Sequence, residues 1–485
     1  MAKVLAAVGC VLALLLSGGA RSGTAADFGP HVSLAEPSGG YSGKLALLPA
    51  HGPVGGKIHA AGSGFPANQN LDLVWRTVEG RWKVGNGEYH GRDYMPEAYR
   101  IAAITTGDDG AFTADFTAPE DFGYAHDIVV QQGDRLLTQA NFNLDMSWTV
   151  TPERAAPGAP VSIDIKGIGW RELENSWDLV YDNMFTGWVS AVSTHGSAHL
   201  TIPATGAPGK HVLKLIHGEF TFPYLNPQQN PRPDRPRFEA EFTLVAGAPV
   251  LPPPAEDQIQ RSLRNLPAPG ALIVEPSFAG VGVPVVARGN GFTPGASYSL
   301  GFGAMTGNRV GGGGFDEASR NIAETTADKD GRVEFHFSAP DDLGGAHRLY
   351  VENQGARTEG VFTILASALP MTSASGPAGT PFSVHLKGVG WTETANIHTI
   401  VIDNNYVGYA CGFNSQGDVE VFLNMTGAPG WHFIDVYPAI YKGEETRPNN
   451  FRIPQLTFAA DHPGEDLPAF HFAYEVKAPE TAPSR

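Results

Sequence analysis

Residues whose types could do chemistry occur twice in this chain at one spacing. Each set joins an adjacent aspartate and asparagine to a later histidine, giving Asp182, Asn183 and His211, then Asp403, Asn404 and His432. A carboxylate close to an imidazole can serve as an acid–base pair or contribute ligands to a metal. On residue chemistry alone, the repeated set predicts a candidate site in each copy.

The same residues also fit a structural role. An aspartate or asparagine at a strand end commonly makes a hydrogen bond to nearby backbone within a turn. Two copies of one fold share such residues without sharing a site. We therefore predict no catalytic residue, and we keep the two sets as candidate ligand-binding residues.

Three further motifs lack parts that their chemistry needs. Gly62-Ser63-Gly64 does not match G-x-S-x-G, which places a serine between a strand and a helix. Asp108-Asp109-Gly110 begins like a calcium loop without the late glutamate and flanking helices, so we predict a hairpin turn there. His195 and His199 could share a strand face, but no third ligand is evident nearby. The sequence predicts neither a metal site nor a cofactor.

A group of aromatic residues marks an extended segment near the start of the chain. The segment from Gly64 to Gly110 spans 46 positions, against 40 between the matching Gly291 and Gly331. Exposed aromatic rings hold sugars or partner proteins in many binding proteins. Alternatively, the rings fill the core of their domain or its contact with the next one. The candidate ligand-binding residues here are Trp75, Trp82, Tyr89 and Tyr94.

The elements that must position these residues are short strands. Val161, Ile163 and Ile165 alternate with polar residues, and a period of two indicates a strand buried on one face. The 59 glycines and 38 prolines supply turns between such strands, for example Asp109-Gly110. Short alternating strands separated by turns predict a β-sandwich.

The chain also repeats itself. Lys166-Gly167-Ile168-Gly169-Trp170 returns as Lys387-Gly388-Val389-Gly390-Trp391, and all the matched pairs differ by 221 in residue number. Within each half, a Pro/Gly turn, an alternating strand and a Gly-x-Gly-aromatic corner occur twice. We predict an all-β protein of four tandem immunoglobulin-like β-sandwich domains, formed by a two-domain unit that is used twice.

Composition shifts predict the boundaries between these domains. The predicted segments are 1–26, a signal peptide; 27–44, a flexible leader; 45–145, domain 1; 146–246, domain 2; 247–270, a Pro-rich linker; 271–365, domain 3; 366–477, domain 4; and 478–485, a disordered tail. Proline stiffens a linker, so we expect the two halves to be held apart. Long irregular segments precede the last strands of domains 2 and 4, at 220–237 and 437–468. Such loops are usually functional or cover a neighbour.

A sequence pattern accompanies the opening of domain 3. It runs from Gly280-Val281-Gly282-Val283-Pro284-Val285 to Gly291-Phe292-Thr293-Pro294, and continues from Asp328-Lys329-Asp330-Gly331 to Ala339-Pro340. This pattern resembles the bacterial immunoglobulin-like repeats of the IPT/TIG type. The resemblance covers domains 1 and 3 well and domains 2 and 4 loosely. It implies a sandwich used as a stalk, spacer or binder, with no shared catalytic residues to transfer.

Charge and the N-terminal residues restrict the partner and the location. With 33 Lys and Arg against 50 Asp and Glu, the net charge is −17, which disfavours nucleic acid as a partner. Lys3, the apolar run 4–16 and the small residues Thr24-Ala25-Ala26 predict a secretory signal peptide. No later stretch is apolar enough to cross a membrane. Cys411 would be the lone cysteine of the mature chain, and we predict that it is a buried apolar residue.

These observations predict an exported, non-catalytic modular protein, periplasmic or extracellular, with a structural or binding role at the cell envelope or outside the cell. Its partner would be an extracellular protein or a glycan. Two alternatives stay open. One is a carbohydrate-binding protein that uses the aromatic segment, and the other is a hydrolase-like enzyme that uses the repeated Asp/His pair.

Overall fold

A computed structural model describes residues 28–479 apart from 38, 176, 220–221, 227, 230–234, 261–269, 309–313 and 442–451. The predicted signal peptide and all but the first two residues of the predicted tail lie outside this part of the chain. The described residues form 34 strands and one 3-10 helix, Ala255–Asp257. Within them, no helix has the length and apolar character needed to cross a membrane.

The strands group into four sandwiches along the chain. Sandwich 1 contains β1 (Glu36–Pro37), β2 (Lys44–Leu48), β3 (His51–Pro53), β4 (Lys57–Ser63), β5 (Asn70–Gly85), β6 (Glu88–Thr105), β7 (Phe112–Thr117), β8 (Tyr124–Gln132) and β9 (Arg135–Asp145). Sandwich 2 contains β10 (Ser147–Thr151), β11 (Arg154–Ala155), β12 (Pro160–Lys166), β13 (Trp177–Tyr181), β14 (Met184–Val189), β15 (Ala198–Pro203), β16 (Gly209–Glu219), β17 (Phe222–Pro223) and β18 (Phe238–Leu244).

The second half follows the same plan. Sandwich 3 contains β19 (Ile273–Glu275), β20 (Phe278–Gly280), β21 (Pro284–Asn290), β22 (Ser297–Asn308), β23 (Gly314–Thr326), β24 (Arg332–Ser338), β25 (Gly345–Asn353) and β26 (Ala356–Leu365). Sandwich 4 contains β27 (Ser367–Leu369), β28 (Ser375–Pro377), β29 (Pro381–Lys387), β30 (Ile397–Ile402), β31 (Asn405–Cys411), β32 (Val419–Asn424), β33 (Gly430–Ala439) and β34 (Phe470–Lys477).

One strand order recurs in all four sandwiches. The three-stranded sheets are β2-β4-β7, β10-β12-β15, β19-β21-β24 and β27-β29-β32. The larger sheets follow the orders β1-β9-β8-β5-β6, β11-β18-β16-β13-β14, β20-β26-β25-β22-β23 and β28-β34-β33-β30-β31. In every case a short strand pairs in parallel with the last strand, and in sandwich 1 both β1 and β3 do so. The remaining pairs are antiparallel. The all-β, immunoglobulin-like prediction is confirmed.

Burial follows the alternation that the sequence predicted. In β4 and β24, every second residue is buried and its neighbours are exposed. The buried residues of the two sheets meet in one apolar core per sandwich. Each strand therefore contributes one face to a core and one to the surface, as period-two patterning requires.

Both halves join their two sandwiches in the same way. Gly123 N donates to Ile168 O (3.1 Å), and Gly344 N donates to Val389 O (3.0 Å). Beside these bonds, the first junction carries a Lys166–Glu120 ion pair and the second a Lys387–Asp341 pair. The offset of 221 residues thus describes the three-dimensional junctions as well as the sequence.

The two halves pack against each other, so the prediction that the linker holds them apart is wrong. Trp188 N on edge strand β14 donates to Pro454 O (2.9 Å), and Leu456 N donates to Trp188 O (3.0 Å). An edge strand presents unpaired backbone groups, and this segment of sandwich 4 satisfies two of them. A stiff linker restricts its own conformation but does not prevent contacts between the domains on either side.

Side chains extend this contact between the halves. Val401, Tyr437 and Leu456 from sandwich 4 belong to the apolar cluster that forms the core of sandwich 2. The rings of Phe185 and Tyr406, which occupy equivalent positions in the repeat, have centroids 6.1 Å apart. Apolar burial across this contact favours one body over two tethered units.

Two local predictions are also wrong. The leader was predicted to be flexible, but Val32 N donates to Ala98 O (3.0 Å), Arg100 N donates to Pro30 O (2.9 Å), and Ala35 is buried. Apolar residues of the leader cover the outer face of the larger sheet of sandwich 1. Cys411, predicted to be buried, is exposed because it lies on the outward side at the end of β31.

Candidate functional sites

The two Asp-Asn pairs form two-residue hairpin turns. Asp182 and Asn183 connect β13 to β14 with φ angles of 48° and 70°. Asp403 and Asn404 connect β30 to β31 with φ angles of 50° and 62°. A tight hairpin of this kind needs positive φ at both central residues, which aspartate and asparagine tolerate better than most residues. The repeated pair is therefore explained by backbone conformation.

His211 fastens the first turn to the adjacent strand. Its Nδ1 lies 2.5 Å from Asp182 Oδ2, and its Nε2 lies 2.8 Å from Ala207 O. The other carboxylate oxygen, Asp182 Oδ1, accepts a hydrogen bond from Val212 N (2.9 Å). Both ring nitrogens and both carboxylate oxygens thus have partners within sandwich 2.

His432 makes the same contacts in the second copy. Its Nδ1 donates to Asp403 Oδ2 (2.6 Å), its Nε2 donates to Ala428 O (2.9 Å), and Phe433 N donates to Asp403 Oδ1 (3.0 Å). Because both ring partners are acceptors, the protonated ring satisfies both. The Asp403 carboxylate accordingly raises the pKa of His432 above 6.5, against the opposing effect of burial.

Because both ring nitrogens of each histidine are hydrogen-bonded, neither imidazole is available to react with a substrate. The His211 side chain is only 8% exposed, and releasing either ring nitrogen would break a bond that holds the turn. A general base needs a free nitrogen within hydrogen-bond reach of the proton that it removes. The two Asp/His pairs therefore hold the hairpin turns against the adjacent strands, and we call them turn fasteners.

The two asparagines have different surroundings. Asn183 is exposed, and its Oδ1 accepts a hydrogen bond from Lys214 Nζ (3.1 Å). Asn404 is fully buried between the halves, where its Nδ2 donates to Pro203 O (2.8 Å) and to Thr205 Oγ1 (3.0 Å). The second copy of the turn is thus an interdomain contact, which its sequence does not distinguish from the first copy.

Trp75 and Tyr94 pack inside the first half of the molecule. Trp75 is fully buried in the core of sandwich 1, and its Nε1 donates to Asp121 Oδ2 (2.7 Å). The Tyr94 ring lies 5.8 Å from each of the rings of Phe122 and Trp170, at the contact between sandwiches 1 and 2. Neither ring stands on an open sheet face.

Trp82 and Tyr89 lie near the tip of the long β5–β6 hairpin, which reaches across to the second half. The Trp82 ring lies 6.4 Å from that of Trp188, and Tyr89 is buried. Tyr89 N donates to Glu393 Oε2 (3.1 Å) in sandwich 4. The interpretation of the aromatic segment as an exposed binding face is wrong for Trp75 and Tyr89, because rings buried by protein cannot stack on a sugar.

Asp461 connects three sandwiches at one buried point. Its Oδ1 accepts hydrogen bonds from Trp82 Nε1 (2.8 Å), Ser193 N (2.9 Å) and Ser193 Oγ (2.7 Å), and its Oδ2 accepts one from Val192 N (2.8 Å). Sequence reasoning missed this residue. The available signal was the length of the irregular segment 437–468, which predicted either a function or a covered neighbour without indicating which.

His195 and His199 do not converge on a metal. His195 lies on a turn with φ of 49°, where its Nε2 is 3.0 Å from Glu79 Oε2. The nearby Asp121 carboxylate raises its pKa above 6.5. His199 instead pairs with Asp164 on the surface (2.8 Å). Among the described residues, no group of three or more histidine, cysteine, aspartate or glutamate side chains could hold a metal ion.

No protein-family model matches the chain, and no curated protein matches it. Among solved structures, it is similar to Salmonella alpha-2-macroglobulin reacted with methylamine, at 10% identity and a TM-score of 0.19 over 90% of this chain and 31% of that one. It is also similar to an ectodomain fragment of ICAM-5, at 13% identity and a TM-score of 0.18 over 90% of this chain and 99% of that one. Invasin, a bacterial integrin-binding protein, matches at 7% identity and a TM-score of 0.20 over 90% of this chain and 79% of that one. At these identities and TM-scores, the likenesses say nothing of this chain's function.

Proposed function

We propose that this chain is an exported, non-catalytic protein that binds a partner, or builds structure, at the cell envelope or outside the cell. The proposal rests on the hydrogen bonds made by the repeated Asp/His pairs. Both ring nitrogens of His211 and of His432 are engaged within their own sandwich. The residues with the most obvious chemistry are thereby used to hold turns.

Two further features support a binding or structural role. The four sandwiches share one strand order and are joined by repeated junctions. Repeating one fold in this way provides several surfaces on which a partner can bind. Sandwiches of the IPT/TIG type, which the sequence of domains 1 and 3 resembles, serve as stalks, spacers or binders. The partner would be an extracellular protein or a glycan.

Replacing either turn-fastener aspartate tests the non-catalytic proposal. Asp182→Ala and Asp403→Ala should each lower the free energy of unfolding of their own sandwich by about 1–3 kcal/mol, because a buried imidazole and a backbone N–H lose their acceptor. Differential scanning calorimetry of the mature chain measures the loss. Asp134→Ala, in the exposed turn between β8 and β9, is the matched control and should leave the transitions unchanged.

The two variants also separate structure from catalysis. If the pairs were catalytic, the variants would keep their unfolding transitions and lose turnover in an ester, amide and glycoside hydrolysis panel. Such turnover in the unmodified chain, abolished by Asp182→Ala without loss of stability, would contradict the proposal.

Export is tested with the first 26 residues alone. Fused to alkaline phosphatase, which is active only outside the bacterial cytoplasm, they should give an active reporter. Leu14→Arg with Leu15→Arg interrupts the apolar run that defines a signal peptide, so this double variant should lose the activity. An inactive reporter from the unmodified segment would show that export is wrongly assigned.

A further inference from the structure

A cavity of about 440 Å³ lies where the second half's two sandwiches meet the hairpin tip of sandwich 1. This volume lies in the range of small-molecule binding sites. Its wall includes Gly345 of sandwich 3, Trp391 and Ala395 of sandwich 4, and the carboxylate residues Glu465 and Asp466. The first half contains the equivalent junction, which allows a comparison within one molecule.

The backbones of the two junctions match closely. A Cβ atom built on Gly123 would lie 1.8 Å from Gly167 O, and one built on Gly344 would lie 1.8 Å from Gly388 O. The equivalent bonds Ile168 N to Gly196 O (2.9 Å) and Val389 N to Gly417 O (3.0 Å) also recur. Differences between the junctions therefore come from side chains.

In the first junction, side chains of this chain occupy the space beside Gly169. A Cβ atom built on Gly169 would lie 2.6 Å from the ring of Tyr124 and 2.4 Å from Glu174 Cβ. The guanidinium of Arg235 stacks on the Tyr124 ring at 3.9 Å and lies 3.5 Å from Glu174 Oε1. An aromatic ring and a cation beside a carboxylate thus fill this junction.

In the second junction, the positions of Tyr124 and Glu174 are taken by Gly345 and Ala395. A Cβ atom built on Gly390, the counterpart of Gly169, would meet Ala395 Cβ (2.8 Å) and backbone oxygen atoms, with no aromatic ring among its nearest neighbours. The second junction thus lacks a phenol ring and a carboxylate side chain at the two positions that border the cavity.

The second junction has other groups that would recognise a ring and a cation. Trp391 offers an aromatic wall, and Glu465 is held in place by hydrogen bonds from Thr392 Oγ1 (3.1 Å) and Thr394 Oγ1 (2.8 Å). Asp466, whose Oδ1 lies 3.6 Å from His462 Nε2, adds a second carboxylate. Among the described residues that line the cavity, none is lysine or arginine. The described lining therefore carries two carboxylates and an indole, which favours a cationic aromatic ligand.

We infer that this cavity binds an aromatic ring joined to a cationic group, the pair of groups that Tyr124 and Arg235 supply in the first junction. The inference rests on the proposed binding function and names its ligand class. The ligand is either a free arylalkylamine or a tyrosine–arginine segment of a partner protein, and both offer the same chemistry. In either case the ring packs against Gly390 and Trp391, and the cation faces Glu465 and Asp466.

Isothermal titration of the mature chain with two probes distinguishes the sources. Tyramine represents the free amine, and the capped dipeptide N-acetyl-Tyr-Arg-amide represents the partner segment. Saturable binding of one equivalent of either probe is expected, and the tighter probe identifies the source. The neutral analogue 4-ethylphenol should bind at least about tenfold more weakly than tyramine, because it cannot pair with a carboxylate.

Two variants locate the site. Gly345→Tyr places the residue of the first junction at a positive φ (72° at Tyr124, 104° at Gly345) and should abolish binding by filling the cavity, although the Trp391 ring, 3.0 Å from a Cβ atom built on Gly345, must shift to admit it. Gly355→Tyr is the matched control, since that glycine also has positive φ but faces open space; it should bind as the unmodified chain does. Glu465→Gln should weaken tyramine binding about tenfold.

Three results would overturn the inference. They are no binding of either probe to the unmodified chain, undiminished binding by a folded Gly345→Tyr variant, and preference for the neutral sugar cellobiose over both probes. The calorimetric signature of unfolding confirms that each variant is folded. None of these results bears on the turn-fastener and export experiments, so the ligand class can fail while the proposed function stands.

Discussion

Asp461→Ala should release the second half of the molecule from the first. Four donors from sandwiches 1 and 2 point at this carboxylate, which is 1% exposed. Removing the acceptor leaves Trp82 Nε1 and the backbone N–H groups of Val192 and Ser193 without partners in a buried place. Each orphaned donor costs about 1–3 kcal/mol, and we expect a total loss of about 3–5 kcal/mol after partial access of water.

Small-angle scattering measures the separation, and limited proteolysis reports exposure of the segment 452–467. The variant should show a larger radius of gyration and faster cleavage in this segment, while the core of each sandwich keeps its calorimetric transition. Asp115→Ala is the control, because that carboxylate is exposed and pairs with the surface residue His59. An unchanged radius of gyration in Asp461→Ala would show that the apolar contacts alone hold the halves together.

Sandwich 4 should lose stability as the pH falls from about 6.5 to 4, and His398 should account for much of this loss. His398 is fully buried near the ring of Phe470, and burial lowers its pKa from 6.5 to about 4. Between these pH values the unfolded chain binds a proton at this residue and the folded chain does not, so stability decreases as pH decreases. The difference amounts to about 3 kcal/mol at pH 4 or below.

His398→Phe removes this titration and keeps a ring of similar size in the core. Calorimetry at pH 7 and pH 4 should show a smaller decrease in the transition of sandwich 4 for this variant than for the unmodified chain. His336→Phe, at an exposed position in sandwich 3, should retain the full decrease. If His398→Phe is as sensitive to acid as the unmodified chain, the buried imidazole is not the cause. His432 affects stability in the opposite direction. Because its pKa is raised in the folded chain, its stabilising contribution is present at low pH and is lost as the pH rises.

The sequence by itself determined the class of fold and the repetition. Period-two alternation in segments such as Pro160–Lys166 predicts strands buried on one face, and the structure shows that pattern. The Asp-Asn pairs predict turns because positive φ is a property of the residue and its immediate neighbours. Local conformation and patterning depend on residues close in the chain, so a single sequence contains them.

Only the tertiary structure decided what these elements contact. Asn183 and Asn404 share a sequence context and a turn, yet one is exposed and the other is buried between the halves. The bond between Trp82 and Asp461 joins residues 379 positions apart, and neither shows its partner in the residues around it. The leader and Cys411 were misassigned, and the two interpretations of the aromatic segment stayed open, for the same reason. Burial at these positions depends on which surfaces of the folded sandwiches contact one another. The alternation of apolar residues and the composition of the chain do not indicate those contacts.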